Sequence, residues 1–225
     1  MLKQPLALLL DLDGTLVDSA PDIAAALDKA LRDHELPTAG LANTRHWVGG
    51  GALKLIERAL SALDGDGRAD VDDVLATFLR HYQQENGRHG VPYPDVVKTL
   101  RTCHSRGIAL ACVTNKPKAL AIDLLQQFGI GDWFAMTIGG DTLDERKPHA
   151  LPVLHACNTL GVSAVDAWMI GDSRADAGAA HAAGAPFVWV SYGYHRDDNA
   201  NTLQATATLD RFDDLIALLD ATTAD

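Results

Sequence analysis

The chain has 225 residues, 47% of them apolar and 22% charged, which are ordinary proportions for a globular protein and exclude a disordered or collagen-like chain. Thirty acidic residues against nineteen basic ones leave a formal charge of −11, a poor match to nucleic acid or an anionic membrane surface. No apolar stretch approaches the roughly 20 residues that span a bilayer.

The run Leu6-Ala7-Leu8-Leu9-Leu10 lacks polar alternation, which suits a strand buried on both faces of a parallel sheet. Asp11 ends it too early for a secretory leader. The next stretch has no strand pattern. Ile23, Leu27, Ala30 and Leu31 recur at helical spacing, then Leu53, Ile56, Ala59 and Leu60, then Val71, Val74, Leu75, Phe78 and Tyr82. Three or four amphipathic helices are expected, with breaks at Gly49-Gly50-Gly51 and at 65–67. Pro92-Tyr93-Pro94 stiffens the next connection and prevents helix continuation.

Beyond it, strand and helix alternate. Helical patterns cover 96–104, 117–128, 148–160 and 175–183; apolar strand runs cover 108–113, 136–138, 167–170 and 187–190. This alternation predicts an α/β fold: an open, Rossmann-like parallel sheet with an all-helical insertion after its first strand. The expected division is 1–18 and 93–225 for the α/β core and 19–92 for the helical unit. Alternatively the early helices simply cover one face of the sheet. Cys103, Cys112 and Cys157 form no CxxC pair and are expected to be reduced thiols of a cytoplasmic protein.

In open α/β sheets ligands bind at the carboxyl ends of the strands. Asp11-Leu12-Asp13-Gly14-Thr15 follows the first strand, Thr114-Asn115-Lys116 the second, and Gly171-Asp172-Ser173 a later one, with Asp176 a helical turn on. Lys147-Pro148 stands at the start of a helix. Asp11, Asp13 and Asp172 would converge there, and a divalent cation resolves their repulsion. Hard oxygen ligands shared with a phosphate suit Mg²⁺. Gly14 permits a sharp turn with amides aimed at an oxyanion, Thr114 and Asn115 offer neutral donors, and Lys147 offers a cation. Each feature also has a plain structural reading: an Asx turn for Asp-x-Asp-Gly, helix caps for Ser173 and Thr114, a surface position for Lys147.

Asp11-Leu12-Asp13-Gly14-Thr15 resembles the first motif of the haloacid dehalogenase-like hydrolase superfamily. Val113-Thr114-Asn115 is similar to its second, Lys147-Pro148 to its third, and Gly171-Asp172-Ser173 with Asp176 to its fourth. The resemblance spans nearly the whole chain, and the helical insertion is similar to the family's C1-type cap domain. Within the superfamily, Arg45-His46-Trp47-Val48-Gly49, Glu57-Arg58-Ala59-Leu60, Asp172-Ser173-Arg174, Tyr192-Gly193-Tyr194 and Arg211-Phe212-Asp213-Asp214-Leu215 resemble the bacterial phosphoglycolate phosphatases.

That resemblance implies a Mg²⁺-dependent phosphatase of small phosphate esters, with 2-phosphoglycolate foremost. Asp11 would be the nucleophile, Asp13 the acid and base, and Lys147 the cation that joins Asp11 to the phosphate. Asp11, Asp172 and the Asp13 carbonyl would hold the metal. Thr114, Asn115 and Gly14 would cradle phosphate oxygens, with Asp176 and Ser173 behind them. A dehalogenase needs no proton donor at position 13, so Asp13 favours phosphoryl transfer.

Substrate choice would fall to the helices, where Arg45, Gly50 and Lys54, with His46 and Arg58, are the candidates. Gly50 stands where similar phosphatases often carry Asn, and Ala150 where a second proline commonly follows Lys-Pro. A phosphosugar mutase of the β-phosphoglucomutase type is the competing enzyme reading, and a receiver-like signalling module the non-enzymatic one. The expected assembly is a monomer or small homo-oligomer without nucleic-acid or membrane partners.

Overall fold

The computed structural model describes residues 2–65, 67–194 and 198–222. In chain order its elements are β1 (Ala7–Leu10), β2 (Val17–Asp18), α1 (Ala20–Asp33), α2 (Gly40–Trp47), α3 (Ala52–Leu63) and α4 (Val71–Glu85). Next come β3 (Val91–Pro92), α5 (Val96–Ser105), β4 (Ala109–Val113), α6 (Lys118–Gln127), β5 (Met136–Ile138) and α7 (Leu151–Leu160). The chain closes with β6 (Ala167–Gly171), α8 (Arg174–Ala183), β7 (Phe187–Val190), β8 (Ala207–Leu209) and α9 (Asp214–Thr222).

Six strands form one sheet in the order β5-β4-β1-β6-β7-β8, and every pairing is parallel. β1 lies centrally, with Leu10 opposite Cys112 on one side and Ile170 on the other. All four of its side chains are buried, as its unbroken apolar run requires. One layer of core beneath the sheet contains Leu8, Leu10, Trp168, Val188 and Phe212; the opposite layer contains Leu9, Val113, Met169 and Phe187. Period-two alternation along each strand thus feeds both layers. Cys103, Cys112 and Cys157 are free and buried.

Three differences from the sequence expectation have local causes. α7 begins at Leu151, not at 148, because Pro148 to Ala150 form the turn before it, where the His149 amide donates to Arg146 O. β8 adds a sixth strand that the pattern of Ala207-Thr208-Leu209 is too short to announce. β2 and β3 pair antiparallel, Val17 with Pro92 and Asp18 with Val91. The outgoing and returning crossings of the insertion therefore lie side by side.

Helices α1 to α4 share a hydrophobic cluster of their own, built on Ile23, Leu27, Leu31, Leu55, Ile56, Phe78 and Tyr82. Leu120 of α6 belongs to the same cluster. Asp70 caps α4 by accepting from the amides of Asp72 and Asp73 at 2.9 and 3.1 Å. Buried Asp22 of α1 accepts from the amides of Gly87, His89 and Gly90 at 2.9, 2.7 and 3.1 Å. It thereby ties the returning segment to the outgoing one.

Candidate active site

β1 delivers Asp11 and β6 delivers Asp172 to the carboxyl edge of the sheet, because the two strands are neighbours in register. The Asp11 amide donates to Ile170 O at 2.9 Å, which fixes the point where β1 ends. Asp11, Asp172 and Asp176 each offer an oxygen within 4.8 Å of the others. All three are buried.

Lys147 reaches into this cluster from the opposite side. Its Nζ donates to Val113 O at 2.6 Å and to Asp176 Oδ1 at 2.6 Å, and lies 2.8 Å from Asp11 Oδ1. An ammonium has three donors, and three oxygens surround this one. Burial works against its charge, but Asp11 and Asp176 outweigh burial and hold its pKa above the ordinary lysine value. Burial, reinforced by Asp176, pushes the Asp11 carboxyl up to about 7 against the pull of Lys147. Asp172 is pushed well above its usual range by burial, then by Asp176 and Asp11.

Three carboxylates facing one ammonium leave two negative charges uncompensated, a deficit that a hard divalent cation cancels. Asp176 has little left to offer it. Its Oδ1 is held by Lys147, and its Oδ2 accepts from the amide and hydroxyl of Ser173 at 3.0 and 2.6 Å. Ser173 is the N-cap of α8, in a reciprocal capping box with Asp176. Asp172 is fixed by the Tyr194 amide at 2.7 Å and the Thr15 hydroxyl at 3.3 Å. Asp11 and Asp172 thus fit a metal, while Asp176 positions Lys147.

The Asp13 side chain turns away from this cluster. It accepts from Ser19 Oγ at 2.5 Å and lies 3.3 Å from Lys116 Nζ. Gly14, directly after Asp13, turns the chain at φ +85°, and a Cβ there would lie 2.5 Å from Asp172 Oδ2. Its amide donates to Val17 O at 2.9 Å. The expectation of an amide aimed at a phosphate is corrected on this point: Gly14 supplies close approach, and its N–H closes the turn.

Thr114 and Asn115 follow β4 beside Asp11. Thr114 Oγ1 accepts from the Lys116 amide at 3.2 Å, which leaves its hydroxyl hydrogen free to donate. Asn115 Nδ2 donates to Lys147 O at 2.9 Å, while its Oδ1 is buried without a partner.

The model of the haloacid dehalogenase-like hydrolases matches residues 6–184, most of the chain. The chain belongs to that family. Among its relatives, a plasmid-encoded phosphoglycolate phosphatase of Cupriavidus necator is 41% identical over 213 residues, spanning 95% of this chain and 92% of its own. A phosphoglycolate phosphatase of Pseudomonas putida is 42% identical over 220 residues, spanning 96% and 79%. The crystal structure of a predicted phosphoglycolate phosphatase from Haemophilus somnus superposes with a TM-score of 0.88 at 33% identity, over 97% of this chain and 99% of that one.

In this haloacid dehalogenase-like hydrolase the loop 48–51 between α2 and α3 presses onto the sheet edge. A Cβ on Gly51 would lie 3.3 Å from Asn115 O, and one on Gly49 would lie 3.7 Å from Ser173 Cβ. The loop divides the cleft. On one side is a chamber lined by Asp11, Asp13, Thr114, Asn115 and Lys116 below and by Ile23, Leu55, Phe78 and Tyr82 above. On the other is an outer cleft lined by Gly50, Lys54, Arg58, Arg146, Lys147, Ser173 and Arg174.

The cation candidates on the helices lie outside the chamber. Arg45 pairs with Asp18 at 2.6 Å and lies over the Tyr194 ring. Lys54 pairs with Glu57 at 2.6 Å on the surface. Arg58 donates to Trp47 O at 2.5 Å and braces the loop. Sequence reasoning assigns no role to Lys116, although it follows Thr114-Asn115 directly; its position after a strand end was the available signal. Tyr194, whose amide holds Asp172, left only a Tyr-Gly-Tyr motif without a stated task. No described helix is long and apolar enough to cross a membrane.

Proposed function

We propose that this chain is a Mg²⁺-dependent phosphomonoester hydrolase that works through an aspartyl phosphate on Asp11, with 2-phosphoglycolate as its substrate. One observation carries the reading: Asp11, distant in sequence from Asp172 and Asp176, brings an oxygen within 4.8 Å of theirs at the carboxyl edge of the sheet, and Lys147 lies 2.8 Å from Asp11 and 2.6 Å from Asp176. The phosphoglycolate phosphatases at about 40% identity over nearly the whole chain support the substrate. Mg²⁺ bound by Asp11, Asp172 and the Asp13 carbonyl would supply positive charge beside the phosphoryl oxygens.

Asp11 attacks phosphorus in line. The ester P–O bond breaks, its electron pair passes to the leaving oxygen, and Asp13 donates the proton that completes the alcohol. Lys147 holds Asp11 in place and neutralises part of the charge gathering on the phosphoryl group. Thr114 and Asn115 orient its equatorial oxygens with the donors they have left. Asp13 then takes a proton from water as that water attacks phosphorus. The Asp11–P bond breaks, and inorganic phosphate leaves with Asp11 restored.

Residues 19–92 act as a cap over a catalytic core of residues 1–18 and 93–225. The glycine loop closes the chamber and keeps bulk water from the intermediate. An acidic chain with three buried, unpaired thiols suits the cytoplasm. The test is a phosphate-release screen over small phosphate esters with Mg²⁺ and with a chelator. Metal-dependent release, fastest from 2-phosphoglycolate, is expected. Isomerisation of a hexose phosphate without phosphate release overturns the reading.

A further inference from the structure

The two buried lysines of the site are held very differently. Lys147 has three oxygens within 2.8 Å of its ammonium. Lys116 is equally shielded from solvent, with its side chain fully covered. Yet its carboxylate partner, Asp13 Oδ1, lies 3.3 Å away, longer than the ~2.7–2.9 Å of a firm charge-assisted bond. Its other contacts are the Tyr82 hydroxyl and the face of the Tyr82 ring, 4.2 Å from Nζ to the centroid. A buried ammonium with one loose anionic partner is costly unless another anion joins it.

The place for that anion is the chamber itself. Among the described residues, Lys116 is the only cation lining it, beside Asp11, Asp13 and Thr114. Arg45 and Lys54 are exposed and already paired, so neither competes for an anion there.

We propose that Lys116 Nζ receives a carboxylate of the leaving group, so that the site selects phosphate monoesters of short, carboxylate-bearing alcohols. This rests on the phosphatase reading above, in which Asp13 protonates the leaving oxygen. Nζ lies 3.3 Å from Asp13, so an anion held by both the chamber and Nζ has to sit close to that oxygen. The carboxyl carbon of a 2-phospho-acid, two bonds from the ester oxygen, meets this condition. A sugar phosphate brings several hydroxyls instead, and the opposite wall is apolar at Ile23, Leu55 and Phe78, with the Tyr82 hydroxyl, already engaged by Lys116, as its polar side-chain group.

The experiment compares 2-phosphoglycolate with ethyl phosphate, which has the same carbon count and no carboxylate, at saturating Mg²⁺. The wild-type protein is expected to prefer phosphoglycolate by about a hundredfold or more in kcat/KM. Lys116→Met is expected to cut that preference about a hundredfold, chiefly through KM for phosphoglycolate, and to abolish competitive inhibition by glycolate. Equal losses on both esters mark a merely structural lysine and overturn the inference.

Should Lys116→Met fail to fold by circular dichroism, wild-type product inhibition decides. Glycolate must inhibit where glycolamide does not; equal inhibition overturns the proposal. Phosphate release from both esters without preference likewise overturns it and leaves the phosphatase reading standing. Release from neither ester, nor from any other phosphate ester, overturns that underlying reading.

Discussion

Replacing Asp11 by Asn removes one of three crowded carboxylates while conserving volume. In the metal-free protein, burial and then Asp176 push the Asp11 carboxyl from 3.8 to about 7. A raised folded-state pKa means that the folded protein holds a proton the unfolded chain has already released. Stability therefore falls as pH rises from 3.8 to about 7, and the loss is complete above that. The whole interval corresponds to about 4 kcal/mol as an upper bound, of which about 3 kcal/mol lies between pH 5 and pH 8.

Asn at this position carries no such dependence. In chelator, Asp11→Asn should thus gain up to about 3 kcal/mol on the wild type between pH 5 and pH 8. Mg²⁺ at a hundred times its Kd should stabilise the wild type by about 2.7 kcal/mol and the variant far less. Urea unfolding followed by circular dichroism at both pH values, with chelator and with Mg²⁺, reads all of these quantities. A wild-type-to-variant difference that ignores pH, or equal stabilisation of both by Mg²⁺, would refute the reasoning. Turnover should fall by at least about a thousandfold in the same variant.

Gly193→Ala would drive a Cβ into the Asp172 side chain and displace that carboxylate. Mg²⁺ affinity should drop about 10- to 100-fold by calorimetry, with the far-ultraviolet spectrum unchanged. Asp70→Ala removes the cap whose oxygen accepts from two amides of α4, the helix that carries Tyr82. A loss of about 1 kcal/mol is expected, seen as a fall of about 2–4 °C in Tm.

The parts legible in the sequence are those fixed by short-range pattern. Unbroken apolar runs such as Ala7 to Leu10 are buried on both sides, although Leu6 before them is exposed, and the residues directly after each buried strand emerge at one edge of the sheet. That is why Asp11, Thr114 and Asp172 stand out together. The direction of a side chain is another matter. Asp13 stands two residues from Asp11, yet Gly14 and the Ser19 hydroxyl turn its carboxylate out of the Asp11–Asp172 cluster.

Lys116 looks in sequence like any loop lysine. Its burial depends on Tyr82, 34 positions earlier, arriving from α4. Arg45 is attractive in sequence as a cation on a helix, but the fold brings Asp18 beside it. The short β8 and the β2–β3 pair lack periodicity altogether. Only the neighbouring strands supply their partners.

The two-residue ladder joining Val17-Asp18 to Val91-Pro92 has an architectural consequence. Because the exit and re-entry points of the polypeptide are zipped together, everything between them is a cassette with adjacent ends. Insertions at such points perturb their host least, since no new span has to be bridged. The helical segment between them can therefore be lengthened or exchanged with little strain on the sheet edge that carries Asp11, Lys116 and Asp172.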